Sequence, residues 1–240
     1  MRFGKLLVIV AIVVTGCDSG GRNAPASGPA SALPGAGRAI ETPAPTRDDQ
    51  ARDVADFVIV MLGDSLTAGY GLAPGDALPE QVEALLLETS PGIDVINAGV
   101  SGDTSAGGLA RYDWSVGSTE PDLLVLALGA NDYLSGVDPE RTRANISAII
   151  ERAQQSRIDI LLISMSPRSS AEDDPRAAAF AAIFRDLAAT YGVRLYEGLV
   201  DEVQDRPDLL LRDGLHPTAD GVKVIAAPLA EAITPYIPMQ

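Results

Sequence analysis

Phe57-Val58-Ile59-Val60-Met61-Leu62 is an unbroken run of large and β-branched apolar residues that stops at Gly63-Asp64-Ser65. A run with no polar side to offer water reads as a strand covered on both faces, the condition of a parallel sheet in an α/β domain. Four further runs predict strands: Ile93 to Asn97, Leu123 to Leu128, Ile158 to Met165 and Val193 to Tyr196. Helical spacing separates them. Asp138-Pro139 opens a stretch in which Ile146, Ile149, Ile150 and Ala153 recur on one face, and Asp174-Pro175 opens another carrying Phe180, Ile183, Phe184, Leu187 and Tyr191 and closed by Gly192. Proline in the first turn and glycine past the end are the expected punctuation of helices. A last helix starts near Thr218 and carries Val222, Ile225, Ala226, Leu229 and Ile233, with Pro228 expected to kink it. Strands alternating with helices predict a parallel sheet between two helical layers, joined by right-handed crossovers, over residues 53–240.

The residues before this domain have a different character. Arg2 and Lys5 precede the apolar segment Leu6 to Val14, too short for an ordinary transmembrane helix but suited to the apolar region of a secretory signal. Val13-Val14-Thr15-Gly16-Cys17 resembles the lipobox of bacterial lipoproteins, so residues 1–16 are expected to be a cleaved signal and Cys17 the lipidated new N-terminus. Cys17 is also the single cysteine, which excludes an intramolecular disulfide. Residues 17–52 are rich in Gly, Pro, Ala and Ser without hydrophobic periodicity, the composition of a tether. As a flexible coil, that stretch reaches about 30 to 35 Å.

Charge narrows the partners. The whole chain has 18 basic and 33 acidic residues; without Arg2 and Lys5 the exported chain has 16 against 33, a net of −17. Such a surface repels nucleic acid and anionic headgroups, leaving the acyl chains on Cys17 as the membrane attachment. The expected location is a bacterial membrane, with the domain facing the periplasm or the cell exterior.

In open α/β sheets ligands bind beyond the carboxyl ends of the strands, where Ser65 falls. A serine hydroxyl needs a general base, and the sequence has one histidine, His216, in Asp213-Gly214-Leu215-His216-Pro217. Asp213 is near enough on that turn to accept the other ring N–H and fix the tautomer. Acyl transfer also needs donors aimed at the oxyanion. Asn97-Ala98-Gly99-Val100-Ser101-Gly102-Asp103-Thr104 can present the Gly102 amide after the second strand, and Gly129-Ala130-Asn131-Asp132 the Asn131 side chain after the third. Each loop alone is ordinary turn chemistry. Together with Ser65 and His216 they form a constellation.

Gly-Asp-Ser-Leu at 63–66, Gly102 in Ser-Gly-Asp-Thr, Gly-Ala-Asn-Asp at 129–132 and Asp-Gly-Leu-His-Pro at 213–217 resemble, in order, the four blocks of the SGNH, or GDSL-type, hydrolases. Leu66 to Leu72 and Gly-Leu-Ala-Arg-Tyr-Asp-Trp at 108–114 resemble the branch containing arylesterases and thioesterase I/lysophospholipase L1. The resemblance implies a flavodoxin-like three-layer α/β/α sandwich with a five-stranded parallel sheet. It implies Ser65 as nucleophile, His216 as base, Asp213 as its orienting acid, and an oxyanion hole of Ser65 N–H, Gly102 N–H and the Asn131 side chain. Neither metal nor cofactor is implied. The expected substrates are short-to-medium acyl esters or thioesters, including aryl esters and lysophospholipids. After Asn131 the branch often carries small residues; Asp132 and Tyr133 depart from that and bear on how long an acyl group fits. Two other readings stand beside this one: a carbohydrate O-acetylesterase, and a lipoprotein that binds a ligand without turnover.

Overall fold

A computed structural model describes residues 56–165 and 175–238 of the chain. The signal, Cys17, the tether and Asp174, expected to open the second of the predicted helices, lie outside the described residues.

Five strands form one sheet: β1 (Phe57–Gly63), β2 (Ile93–Gly99), β3 (Leu123–Ala127), β4 (Asp159–Ile163) and β5 (Arg194–Tyr196). The principal helices are α1 (Ser65–Ala68), α2 (Leu78–Leu87), α3 (Ser105–Ala110), α4 (Tyr112–Ser115), α5 (Ala130–Leu134), α6 (Pro139–Gln155), α7 (Pro175–Tyr191) and α8 (Ala219–Ile233). All strand pairs are parallel, in the order β2-β1-β3-β4-β5. This is the flavodoxin-like doubly wound arrangement, whose strand order reverses beside β1 and so opens a crevice there.

Alternation along β1 divides the core. Phe57, Ile59 and Met61 pack on one face with Val82 and Leu86 of α2 and Val222, Ile225, Leu229 and Ile233 of α8. Val60 and Leu62 face the other way, against Ile146, Ile149 and Ile150 of α6 and Phe180 and Phe184 of α7. Both faces of the sheet are therefore dry, which is why the strands read as continuous apolar runs. The caps also act as their residue types require. Asp138 accepts from Glu140 N–H ahead of α6, and Thr218 accepts from Gly221 N–H ahead of α8, which runs on through Pro228. Tyr191, placed by its spacing on the core stripe of α7, is only partly buried and its hydroxyl bonds Glu151.

One row of the sheet prepares the site. Gly63 at the end of β1 sits between Gly99 of β2 and Ala127 of β3. These small residues let α1 settle directly onto the strand ends: a Cβ on Gly63 would fall 2.0 Å from Thr67 Oγ1, and one on Gly99 would fall 2.2 Å from Ala68 N.

Candidate active site

Ser65 opens α1 immediately beyond β1, and Asp64 caps that short helix by accepting from Leu66 N–H at 3.1 Å. His216 arrives from 151 residues away, with Nε2 2.8 Å from Ser65 Oγ. The turn before α8 delivers it. Leu211 N–H donates to the His216 carbonyl at 2.7 Å, and Leu210 bridges to Pro217, so the loop closes on itself like a short hairpin. Asp213 holds the far side of the ring at 2.7 Å from Nδ1 and accepts the amides of Leu215 and His216 at 2.9 and 3.0 Å. The hydrogen bond from His216, followed by those two amides, lowers the Asp213 carboxyl to a pKa of about 2. An ionised carboxylate can only accept, so Nδ1 carries the ring proton and Nε2 is left to accept from the serine hydroxyl. The Tyr70 ring lies 4.5 Å from the imidazole, tilted by 39°, and covers one of its faces.

The loop after β2 turns with Asp103 N–H donating to Val100 O at 3.0 Å, and Gly102 sits third in that turn at φ 82°. A type II-like turn requires positive φ there, which glycine supplies without strain. Asn131, near the start of α5, donates its side-chain amide to the Asp103 carbonyl at 2.8 Å and to Asp64 Oδ2 at 3.2 Å. Asp64 itself is buried; loss of hydration raises its pKa, opposed by the Leu66 amide and by the charge of His216.

Ser65, Gly102, Asn131 and His216 all line one cleft of about 430 Å³, whose other walls are chiefly apolar, among them Leu66, Tyr133, Leu134, Ile163, Met165 and Leu199. Asp213 stands behind the imidazole, outside that lining. The arrangement can deprotonate a hydroxyl, hold the resulting imidazolium beside a carboxylate, and offer amide hydrogens nearby. Among the described residues, no three His, Cys, Asp or Glu side chains group as a metal would require.

Of the two residues with which the sequence departs from the branch after Asn131, Asp132 does not line the cleft. It is fully buried and turned away from the cleft, accepting from Ser105 N–H at 2.7 Å, from the Ser105 hydroxyl, and from Thr142 Oγ1 at 3.0 Å. Tyr133 does line the cleft. The sequence alone assigns no task to Asp64, Asp103, Arg111 or Tyr70, whose contacts with Asn131, Arg111, Gly63 and His216 join separate parts of the chain; the one signal for Arg111 is the resemblance of residues 108–114 to the branch motif.

Residues 61–224 match the GDSL-like lipase/acylhydrolase family. The chain belongs to that family. Among relatives of this GDSL-like hydrolase is an arylesterase of Vibrio mimicus, 31% identical over 78% of this chain and 93% of the relative. Thioesterase 1/protease 1/lysophospholipase L1 of Escherichia coli K12 is 33% identical over 78% of this chain and 88% of its own. In structure, the GDSL-like domain is similar to the psychrotrophic esterase EstA of Pseudoalteromonas, with TM-score 0.70 and 27% identity over 75% of this chain and 98% of that one. The SGNH-hydrolase esterase AlinE4 is 38% identical at TM-score 0.62, over 76% and 97% of the two chains. Relatives named as arylesterase, thioesterase and esterase make the protein a carboxylic ester hydrolase.

Proposed function

We propose that the protein is a serine esterase or thioesterase that transfers short-to-medium acyl groups to water through an acyl-enzyme on Ser65. The observation that carries this is the continuous line Ser65 Oγ, His216 Nε2, His216 Nδ1 and Asp213 Oδ2, with contacts of 2.8 and 2.7 Å. In this reading His216 takes the serine proton as Oγ attacks the acyl carbon, and Asp213 stabilises the imidazolium. The amides of Ser65 and Gly102 receive the oxyanion, and the Asn131 side chain joins them by turning one amide hydrogen away from Asp64 Oδ2, the longer of its two contacts at 3.2 Å. The imidazolium then protonates the leaving alcohol or thiol. A water activated by the same base attacks the acyl-serine, and His216 returns its proton to Oγ.

The apolar cleft walls favour an acyl chain over a sugar, which sets this reading above a carbohydrate O-acetylesterase. EstA, a structural relative, has been crystallised inhibited by monoethylphosphonate. The corresponding test here is labelling by a fluorophosphonate. Wild-type protein should be labelled at Ser65, and Ser65→Ala should neither label nor turn over a p-nitrophenyl ester. His216→Ala should lose turnover as well, because no second histidine exists; near-wild-type activity in that variant would overturn the mechanism. A chain-length series of p-nitrophenyl esters and acyl-thioesters, run beside an acetylated sugar, then assigns the substrate class.

The lipobox-like sequence supports export and lipid attachment at Cys17. Incorporation of a labelled fatty acid, lost in Cys17→Ala, tests that part independently of the chemistry.

A further inference from the structure

The groups assigned to the oxyanion come from three loops, after β1, β2 and β3, beyond the last paired row at Gly63, Gly99 and Ala127. Two side chains reach across those loops: Asn131, whose amide meets Asp64 and Asp103, and Arg111. Arg111, at the junction of α3 and α4, donates from Nη2 to the Gly63 carbonyl at 3.0 Å and from Nε to Asp103 Oδ2 at 2.7 Å. Nη1 completes the fork on Ser115 Oγ at 3.1 Å. Gly63 is two residues before Ser65, and Asp103 directly follows Gly102. The carbonyl of Asp103 in turn accepts the Asn131 amide at 2.8 Å. A single guanidinium therefore joins the nucleophile's strand to the loop that presents one amide donor and anchors the other.

The pair is also enclosed. The Arg111 and Asp103 side chains are 16% and 10% exposed. The Asp103 carboxylate lies over Gly107, where a Cβ would approach Oδ1 to 1.8 Å. Partial burial of this kind limits the freedom of both partners, and the charge-assisted bond stiffens the loop beyond what a surface ion pair could do. Arg111 does not line the cleft, so it has no direct route to substrate.

We propose that Arg111 is a positioning residue for the reaction: it sets the spacing between Ser65 and the donors at Gly102 and Asn131, and acts only through them. A guanidinium suits the task because its planar fork meets two acceptors in fixed directions, whereas an ammonium is a point charge on a flexible stem. Displacing transition-state donors by about an ångström costs on the order of 10²-fold in rate while leaving ground-state binding in the apolar cleft intact.

The inference rests on the serine-esterase reading, which fluorophosphonate labelling of wild-type Ser65 tests without reference to Arg111. Given that labelling, kcat and KM for a p-nitrophenyl ester are compared in wild type, Arg111→Ala, Arg111→Lys and Asp103→Asn, with thermal melting alongside. Arg111→Ala should lower kcat by about 10²-fold with KM within about twofold. Arg111→Lys should recover only a small part of the loss, and methylguanidinium at millimolar concentration should restore activity to Arg111→Ala but not to Ser65→Ala. Asp103→Asn keeps the carbonyl that anchors Asn131 while removing the charge, and should show the same kcat-only loss in milder form. Should Arg111→Ala fail to fold, Asp103→Asn and Arg111→Lys decide. Full activity in both, a loss confined to KM, or a kcat loss that vanishes once the folded fraction is corrected for would overturn the proposal.

Discussion

His216 binds Asp213 twice, by its backbone amide to Oδ1 at 3.0 Å and by ring Nδ1 to Oδ2 at 2.7 Å. The double contact fixes the ring's tautomer and its orientation at once, since rotating the imidazole would break the second bond while the first holds the carboxylate in place. Asp213→Asn keeps the shape but can turn an NH₂ toward Nδ1, favouring the tautomer in which Nε2 carries the proton and cannot accept from Ser65. The expected loss in kcat is on the order of 10³- to 10⁴-fold. Steady-state kinetics checks it, and a loss below tenfold would remove Asp213 from the mechanism.

The same carboxylate makes a prediction about pH. With its pKa lowered to about 2 by His216 and the two amides, Asp213 stays ionised across the whole working range. The acid limb of kcat/KM should thus show no break from this carboxylate above about pH 4. Stability moves in a matching direction. A carboxyl depressed on folding stabilises the fold fully above its unfolded pKa, about 3.9, and ceases to do so as pH falls toward 2. The difference in melting temperature between wild type and Asp213→Asn should therefore shrink as pH falls from about 4 toward 2. A gap that stays unchanged over that window contradicts this.

Much of the fold was legible because the sheet is covered on both faces. The starts of β1, β2 and β3 coincide with the apolar runs, and the caps at Asp138 and Thr218 with α6 and α8. The short helices α1, α3, α4 and α5 were not legible. They run four to six residues, too few for periodicity to register, and are held by tertiary contacts. The residues that meet at Ser65 could be named from sequence because each follows a strand or precedes a helix at the same edge of the sheet. The framework around them could not. Arg111 meets Gly63 across 48 positions and Ser105 meets Asp132 across 27, and no local pattern records such pairings. Asp132 shows the cost of that: beside Asn131 in sequence, it points into the interior.

That burial carries a stability prediction. Asp132→Ala strands the Ser105 amide, the Ser105 hydroxyl and the Thr142 hydroxyl without their acceptor. Each orphaned buried donor costs about 1 to 3 kcal/mol, so the variant should lose at least about 3 kcal/mol in urea unfolding. Asp132→Asn retains one acceptor oxygen and should lose less. An alanine variant within about 1 kcal/mol of wild type would mean that water or side-chain rotation satisfies the donors.

Gly99 tests the seating of the nucleophile itself. Its missing Cβ would lie 2.2 Å from Ala68 N and 2.7 Å from both Ala68 Cα and Thr67 C, all backbone atoms of α1. A flexible side chain could move aside, but a helix backbone can yield only as a unit, and Ser65 is the first residue of that helix. Gly99→Ala should therefore cost about 1 to 3 kcal/mol of stability from overpacking. It should also lower kcat by at least about tenfold in the fraction that remains folded, as Ser65 Oγ is carried away from His216. Gly117→Ala is the control, since a Cβ there meets nothing within 4 Å. Melting and ester turnover measured on both variants separate the two effects. If Gly99→Ala were destabilised yet fully active per folded molecule, α1 would not be what holds the serine in line with its base.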